Sequence, residues 1–249
     1  QMNTIGILWL RQIKRHYRSK ARLIGSFSMP LLFLLAFGFG FGSIYAQAGQ
    51  GDYFQFLVPG IISMTILFTS VMSGIEIIWD RQFGFLKETL VAPVSRLEIM
   101  IGRTLGGATV AFAQGFLFLI LSLFFGFHII SWTMLPIALL FMLLIAIFFA
   151  ALGTAIASLL DDMQGFQLIM NFLIMPIFFL SGAMFPIDTA PKAIQIISKF
   201  NPLSYGVSGI RNSLLGVSQG NIWFNLIILF ILAIVMLVIG SKLFSKMQV

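Results

Sequence analysis

Cysteine is absent from this 249-residue chain, which excludes disulfide bridges and thiolate metal sites. Histidine is scarce. His16 and His128 are the only two, and isolated imidazoles in a basic segment and at the end of an apolar run read as interfacial side chains rather than ligands. No His-Glu-x-x-His pattern occurs, and no Gly is followed by Lys. A P-loop needs that Lys to reach the phosphates, so ATP hydrolysis by this chain itself is not expected. Charge is the largest shortfall. Asp, Glu, Lys and Arg supply 9% of residues and apolar types 59%, against about 25% charged residues in soluble domains. One aqueous core cannot hide that much apolar surface, so lipid must be part of the solvent. The eight acids do not pair within any apolar run. Membrane hydrolases and proton-coupled pumps bury ionisable groups at mid-membrane, so both classes are disfavoured. No early apolar segment with a cleavage site is present, so no cleavable signal is expected. The net charge of +7 reflects basic residues beside anionic lipid rather than nucleic acid binding.

What is there is long apolar runs. A helix needs roughly 20 apolar residues to cross a bilayer, and six stretches qualify: 23–45, 56–79, 104–127, 132–160, 166–186 and 222–244. Backbone groups in lipid must be paired within the segment, and barrel-type alternation is absent, so these read as helices. The expected fold is an all-α membrane protein, a single transmembrane domain over 1–249 with six spans. Within the runs only Glu76 and Lys242 are charged, both near an end. Twelve basic residues fall in the N-terminal tail, the 80–103 connection and the C-terminal end, against three (Lys192, Lys199 and Arg211) in the remaining connections. The positive-inside rule therefore places both termini and the 80–103 loop in the cytoplasm. The short 160–165 loop falls on the same side although it carries only Asp161 and Asp162.

The flanking segments carry their own patterns. Ile5, Leu8, Trp9, Ile13 and Tyr17 recur at helical spacing opposite Arg11, Lys14, Arg15 and Arg18, so 1–22 reads as a basic amphipathic helix lying in the membrane interface. In the outer connection, 187–220, two short helices flank the breaker Asn201-Pro202, and the second ends at Gly216. Both are too short to span and read as a re-entrant pair, which requires cover from protein or a water-filled cavity. Gly38, Gly40 and Gly42, and the pair Gly102 and Gly106, set small residues where helices can approach closely. Intramolecular packing is the favoured use over a dimer seam. Pro176 with Ser181-Gly182 marks the fifth run as a broken or bending helix. Glu76 has two open readings: pairing with a nearby Arg at headgroup level, or a polar residue at the inner mouth of a pathway.

The cytoplasmic loop is the most informative stretch. Leu86 and Leu90 share one face of a short helix over 85–91, with Lys87 and Glu88 outward. Pro93 ends it, and Ser95 with Glu98 forms a capping box for a second helix. Trp79-Asp80-Arg81-Gln82-Phe83-Gly84-Phe85-Leu86-Lys87-Glu88 followed by Pro93-Val94-Ser95-Arg96 resembles the loop of ABC-2 type transporter permeases, especially the daunorubicin-resistance-like drug exporters. Leu180-Ser181-Gly182-Ala183-Met184-Phe185-Pro186 and Asn201-Pro202-Leu203-Ser204-Tyr205 resemble that family's signature before the last span. Gln82 departs from the pattern, since many members carry Glu there. The resemblance implies a non-enzymatic half-transporter of the prokaryotic cell membrane. Two copies of the chain would each seat a separate ATP-binding-cassette subunit, which supplies the ATP and Mg site. Phe85, Leu86, Lys87, Glu88, Thr89, Leu90 and Val91 would form the coupling helix against that ATPase, with Asp161 and Asp162 as a second contact. The expected cargo is a hydrophobic or amphipathic compound, a drug (multidrug efflux) or lipid. Lipid-linked polysaccharide is the alternative cargo, and a secondary transporter or channel without an ATPase is the alternative class.

Overall fold

The computed structural model describes residues 4–18, 20–47, 51–84, 95–217 and 220–245, which contain helices and no strands. Helix α1 (Thr4–Arg18) is followed at once by α2 (Lys20–Gln47). Next come α3 (Tyr53–Met72) and α4 (Ile75–Gln82), then α5 (Arg96–Phe124) and α6 (Leu135–Leu159). A short α7 (Met163–Ile169) passes through a π-turn (Met170–Ile174) into α8 (Met175–Phe179). Two outer helices, α9 (Lys192–Lys199) and α10 (Pro202–Leu215), precede α11 (Ile222–Ser245).

Five of the expected spans are helices long and apolar enough to cross a membrane: Ile24–Tyr45, Tyr53–Gln82, Arg96–Phe124, Trp132–Leu159 and Ile222–Ser245. The stretch expected to span over 166–186 is instead the shorter Met163–Phe179. At about 1.5 Å per residue it does not cover some 30 Å of hydrocarbon. Its irregularity has a local cause. Pro176 has no N–H for the Phe172 carbonyl and its ring crowds that turn, and the π-turn at Met170–Ile174 widens the helix just ahead of it. Gly182, at φ +79°, then turns the chain away.

The third span begins earlier than the apolar run suggested. The Ser95 hydroxyl accepts from the Glu98 amide at 3.2 Å, and the Ser95 amide donates to the Glu98 carboxylate at 3.1 Å. The expected capping box is therefore present, but it opens α5 itself rather than a separate loop helix. Arg103 is drawn into the bundle as a result.

The core is built on α3, where 72% of the apolar window is buried, against 17% in α2 and 22% in α11. The last two present their apolar faces outward. Close approach of α3 and α4 to α6 depends on two glycines: a Cβ on Gly74 would strike the Gly153 carbonyl, and one on Gly153 would strike the Val71 carbonyl. α3 and α4 are joined there by a turn at Ser73 and Gly74 that keeps right-handed helical backbone, so 53–82 remains one membrane-crossing span, as the sequence pattern implied.

The outer segment forms the two short helices implied by the Asn201-Pro202 breaker, but they are not equivalent. α9 is mostly exposed, whereas α10 buries Leu203, Val207, Ile210, Arg211 and Leu214 in the bundle. Arg211, 3% exposed, donates from Nη2 to the carbonyls of Phe56 and Gly182 at 3.1 Å each and lies 3.8 Å over the Phe56 ring. Tyr53 donates to the Met184 carbonyl at 2.8 Å, and Asn201 Nδ2 to the Ile177 carbonyl at 2.6 Å. Side chains from α3, α10 and the Asn201 cap thus satisfy carbonyls in and just after the broken helix.

Candidate functional site

At the opposite end of the bundle, α4 sits between two sets of partners. One face carries Asp80 and Glu76, both buried. Asp80 Oδ2 accepts from Arg103 Nη2 of α5 at 2.6 Å, and its Oδ1 lies 3.3 Å from Arg15 and 3.7 Å from Arg11 of α1. Glu76 Oε2 is 3.7 Å from the same Arg15, whose guanidinium also stands 5.6 Å over the Trp79 ring. The other face is tied to the turn between α6 and α7. Arg81 pairs with Asp161 and donates to the Leu160 carbonyl at 3.0 Å and the Ser158 carbonyl at 3.3 Å. Gln82 Nε2 donates to the Asp161 carbonyl at 3.4 Å, and Trp79 Nε1 to the Met163 sulfur at 2.6 Å. The departure at Gln82 now has a use: its amide can donate to a carbonyl, whereas a Glu carboxylate would face both that oxygen and Asp161.

α1 is held from both sides. Its Leu8 and Gln12 are buried on α5, where a Cβ on Gly102 would come 3.0 Å from Leu8 Cβ and one on Gly106 would come 2.5 Å from Gln12 Cβ. Trp9 Nε1 donates to Thr109 at 3.0 Å. The Gly102 and Gly106 pair is therefore the groove for α1, an intramolecular seam as favoured from the sequence. Contacts within the protein account for Leu8 and Arg15 of the amphipathic pattern, while Ile7 and Tyr17 remain exposed.

Above the ionic hub, α1, α2, α3, α4, α5 and α8 line a half-open cavity of about 600 Å³. Met29, Met64, Met72, Met175, Phe68 and Trp79 supply most of its apolar wall. A polar network runs beside it. Gln114 Nε2 lies 2.8 Å from Ser26 and 2.9 Å from His16 Nε2, and its Oε1 accepts from Thr69 at 2.5 Å. His16, read from the sequence as an interfacial residue, is thus joined to a glutamine in the interior. A second, more polar cavity of about 430 Å³ lies at the outer end, between Ser181, Gln195, Ser198, Tyr205, Ser208 and Asn225.

The residues expected to matter divide as follows. Glu76 lies 3.7 Å from Arg15 and lines the larger cavity. Asp161 is bound to Arg81, and Asp162 caps α7 by accepting from the Gly165 amide at 2.6 Å. Phe85, Leu86, Lys87, Glu88, Thr89, Leu90 and Val91 lie outside the described residues; the chain reaches them directly from α4. Asp80 and Arg103, which fall just outside the expected runs, pair with each other across α4 and α5. The sequence signal that would have found Arg103 is the Ser95–Glu98 box, which moves the helix start two turns upstream. Gln114 gave no signal beyond being an amide in an apolar run.

Five helices long and apolar enough to cross a bilayer make this a multi-pass membrane protein. Residues 3–215 match the ABC-2 type transporter family. The chain is 32% identical over 197 residues to the ycf38 protein of Cyanophora paradoxa, covering 78% of this chain and 68% of that one. It is 26% identical over 248 residues to nodulation protein J of Rhizobium leguminosarum bv. viciae, covering 97% and 95%. It is 27% identical over 231 residues to the inner membrane transport permease YadH of Escherichia coli (strain K12), covering 91% and 89%. The chain belongs to the ABC-2 type transporter family and is a transport permease.

Proposed function

We propose that this chain is the membrane subunit of an ATP-driven exporter that moves a hydrophobic or amphipathic compound out of the cytoplasm or inner leaflet. Two copies form the pathway in a prokaryotic cell membrane, with both termini and the 80–103 connection in the cytoplasm. Each copy docks residues 85–91 on a separate ATP-binding-cassette subunit, where ATP and Mg are bound. The observation that supports this reading is the position of α4. It leads straight into residue 85, its acids grip α1 and α5, and Arg81 and Gln82 grip the α6–α7 turn. A displacement of the docking segment by the ATPase would therefore pull on α1 and α5, which border the apolar cavity, and on the α6–α7 turn. Asp161 belongs to that linkage through Arg81, so its role would be to transmit the displacement as well as to touch the ATPase.

The test is co-expression with the ATP-binding-cassette subunit. Replacing 85–91 by a Gly-Ser stretch, or Glu88→Ala, should lower complex recovery or return ATP turnover to that of the ATPase alone, while the spans still insert. Normal assembly and turnover in both variants would refute the docking assignment. An ATPase that never co-purifies, with transport persisting without ATP, would refute the exporter reading. A second cargo, a lipid-linked polysaccharide, is favoured by the hydroxyl- and amide-lined outer cavity. Mass analysis of lipids and glycans retained by the purified complex separates the two.

A further inference from the structure

Most polar groups in the wall of the larger cavity are already bonded, the Gln12 amide being the exception among the described residues. Thr65 donates to the Ile61 carbonyl at 2.9 Å and Ser73 to the Ser70 carbonyl at 2.6 Å, each within its own helix. Thr69, Ser26 and His16 are bonded to Gln114. Glu76, the one carboxylate lining the cavity among the described residues, is ion-paired with Arg15. The surface left to a ligand is therefore close to electroneutral, with the uncharged Gln12 amide as its main hydrogen-bonding group. A charged molecule entering there would lose its hydration with no opposite charge left over to meet it. An uncharged one loses little. The apolar wall includes four methionines, Phe68 and Trp79, beside Pro30, Ile75 and Val110. Unbranched thioethers are polarizable, adapt their rotamers to irregular shapes and make favourable contacts with aromatic rings. The volume of about 600 Å³ falls within the range of pockets that hold one drug-sized molecule.

We infer that this cavity, within a single copy of the chain, is a binding site for one uncharged, aromatic, drug-sized molecule, with Met29, Met64, Met72 and Met175 as its adaptable wall. The inference rests on the exporter reading for its physiological meaning, and it narrows the cargo from amphipathic compounds in general to neutral aromatic ones.

Three photoprobes with one chromophore test it on the full chain in lipid nanodiscs: benzophenone, its 4-carboxylate and its 4-methyl-trimethylammonium derivative. Irradiation followed by peptide mass spectrometry should place benzophenone adducts on the four cavity methionines. Both charged probes should label them at least about tenfold less. Met29→Trp, at a half-exposed position, should reduce adducts at Met64, Met72 and Met175 while the thermal unfolding midpoint stays close to that of the parent. Equal labelling by charged and neutral probes would overturn the inference. So would adducts confined to outward-facing residues such as Phe124 and Trp223, which report partition into lipid only. A cavity occupied by an acyl chain or by a second copy of the chain would leave these methionines unlabelled by all three probes, and that result overturns the inference as well. The ATPase is not needed for this measurement. Labelling without a co-purifying ATPase keeps the site and removes the exporter reading; an assembled, ATP-driven complex without labelling does the reverse.

Discussion

Asp80→Asn isolates the charge that organises the ionic hub. Asp80 is 4% exposed, and Arg103, its partner at 2.6 Å, is 6% exposed. Among the described residues Arg103 Nε has no hydrogen-bond partner, so the Asp80 carboxylate carries most of the compensation for a buried guanidinium. Removing one partner of a buried ion pair strands the other, at a cost of about 3–5 kcal/mol. Arg11, with 44% of its side chain exposed and 3.7 Å away, adds little, because such exposed pairs are worth about 0–1 kcal/mol and are screened by salt. The unfolding equilibrium of the purified chain should therefore shift by roughly 10²- to 5 × 10³-fold. It can be read by far-UV circular dichroism in micelles titrated with SDS. The shift should persist at high salt, because the pair is shielded from mobile ions. Arg103→Met combined with Asp80→Leu should recover most of the lost stability, since it removes both charges and keeps apolar volume. A shift below about 1 kcal/mol in Asp80→Asn, or no recovery in the double variant, would mean that Arg103 reaches water and that the hub is not a buried pair.

Two further outcomes follow from the packing. Gly106→Leu should lift α1 from its groove, because even a Cβ there would sit 2.5 Å from Gln12 Cβ. The expected cost is about 1–3 kcal/mol, with faster amide exchange over Thr4–Arg18 as the local readout; unchanged exchange there would contradict the groove assignment. Arg211→Lys keeps the charge but not the planar fork that reaches the Phe56 and Gly182 carbonyls while lying on the Phe56 ring. A loss of about 2–4 kcal/mol is expected by thermal unfolding, and a neutral result would show that a point charge suffices.

Much of the fold was legible from local chemistry. The apolar runs, the capping box at Ser95 and Glu98, the breaker at Asn201-Pro202 and the helix end at Gly216 each depend on residues a few positions apart. What was missed has one origin, which is contact between distant segments. Hydropathy could not show that Gly74 and Gly153, on different helices, admit each other's backbone. The break in the fifth run is local by contrast, and Pro176 and Gly182 made it legible. Asp80 and Arg103 were legible as charges but not as partners, since their pairing needs α4 and α5 side by side.

Residue type alone determined that this chain lives in lipid, that it is helical and that no P-loop nucleotide site is encoded in it. Those conclusions need only hydration, hydrogen-bond satisfaction and the presence or absence of a side chain. The tertiary structure decided which polar residues spend their charge on one another, which glycines admit a neighbouring helix, and where a cavity is left. A buried charge is stable only beside its partner, and a void exists only where several surfaces fail to meet, so neither can be read along a single segment.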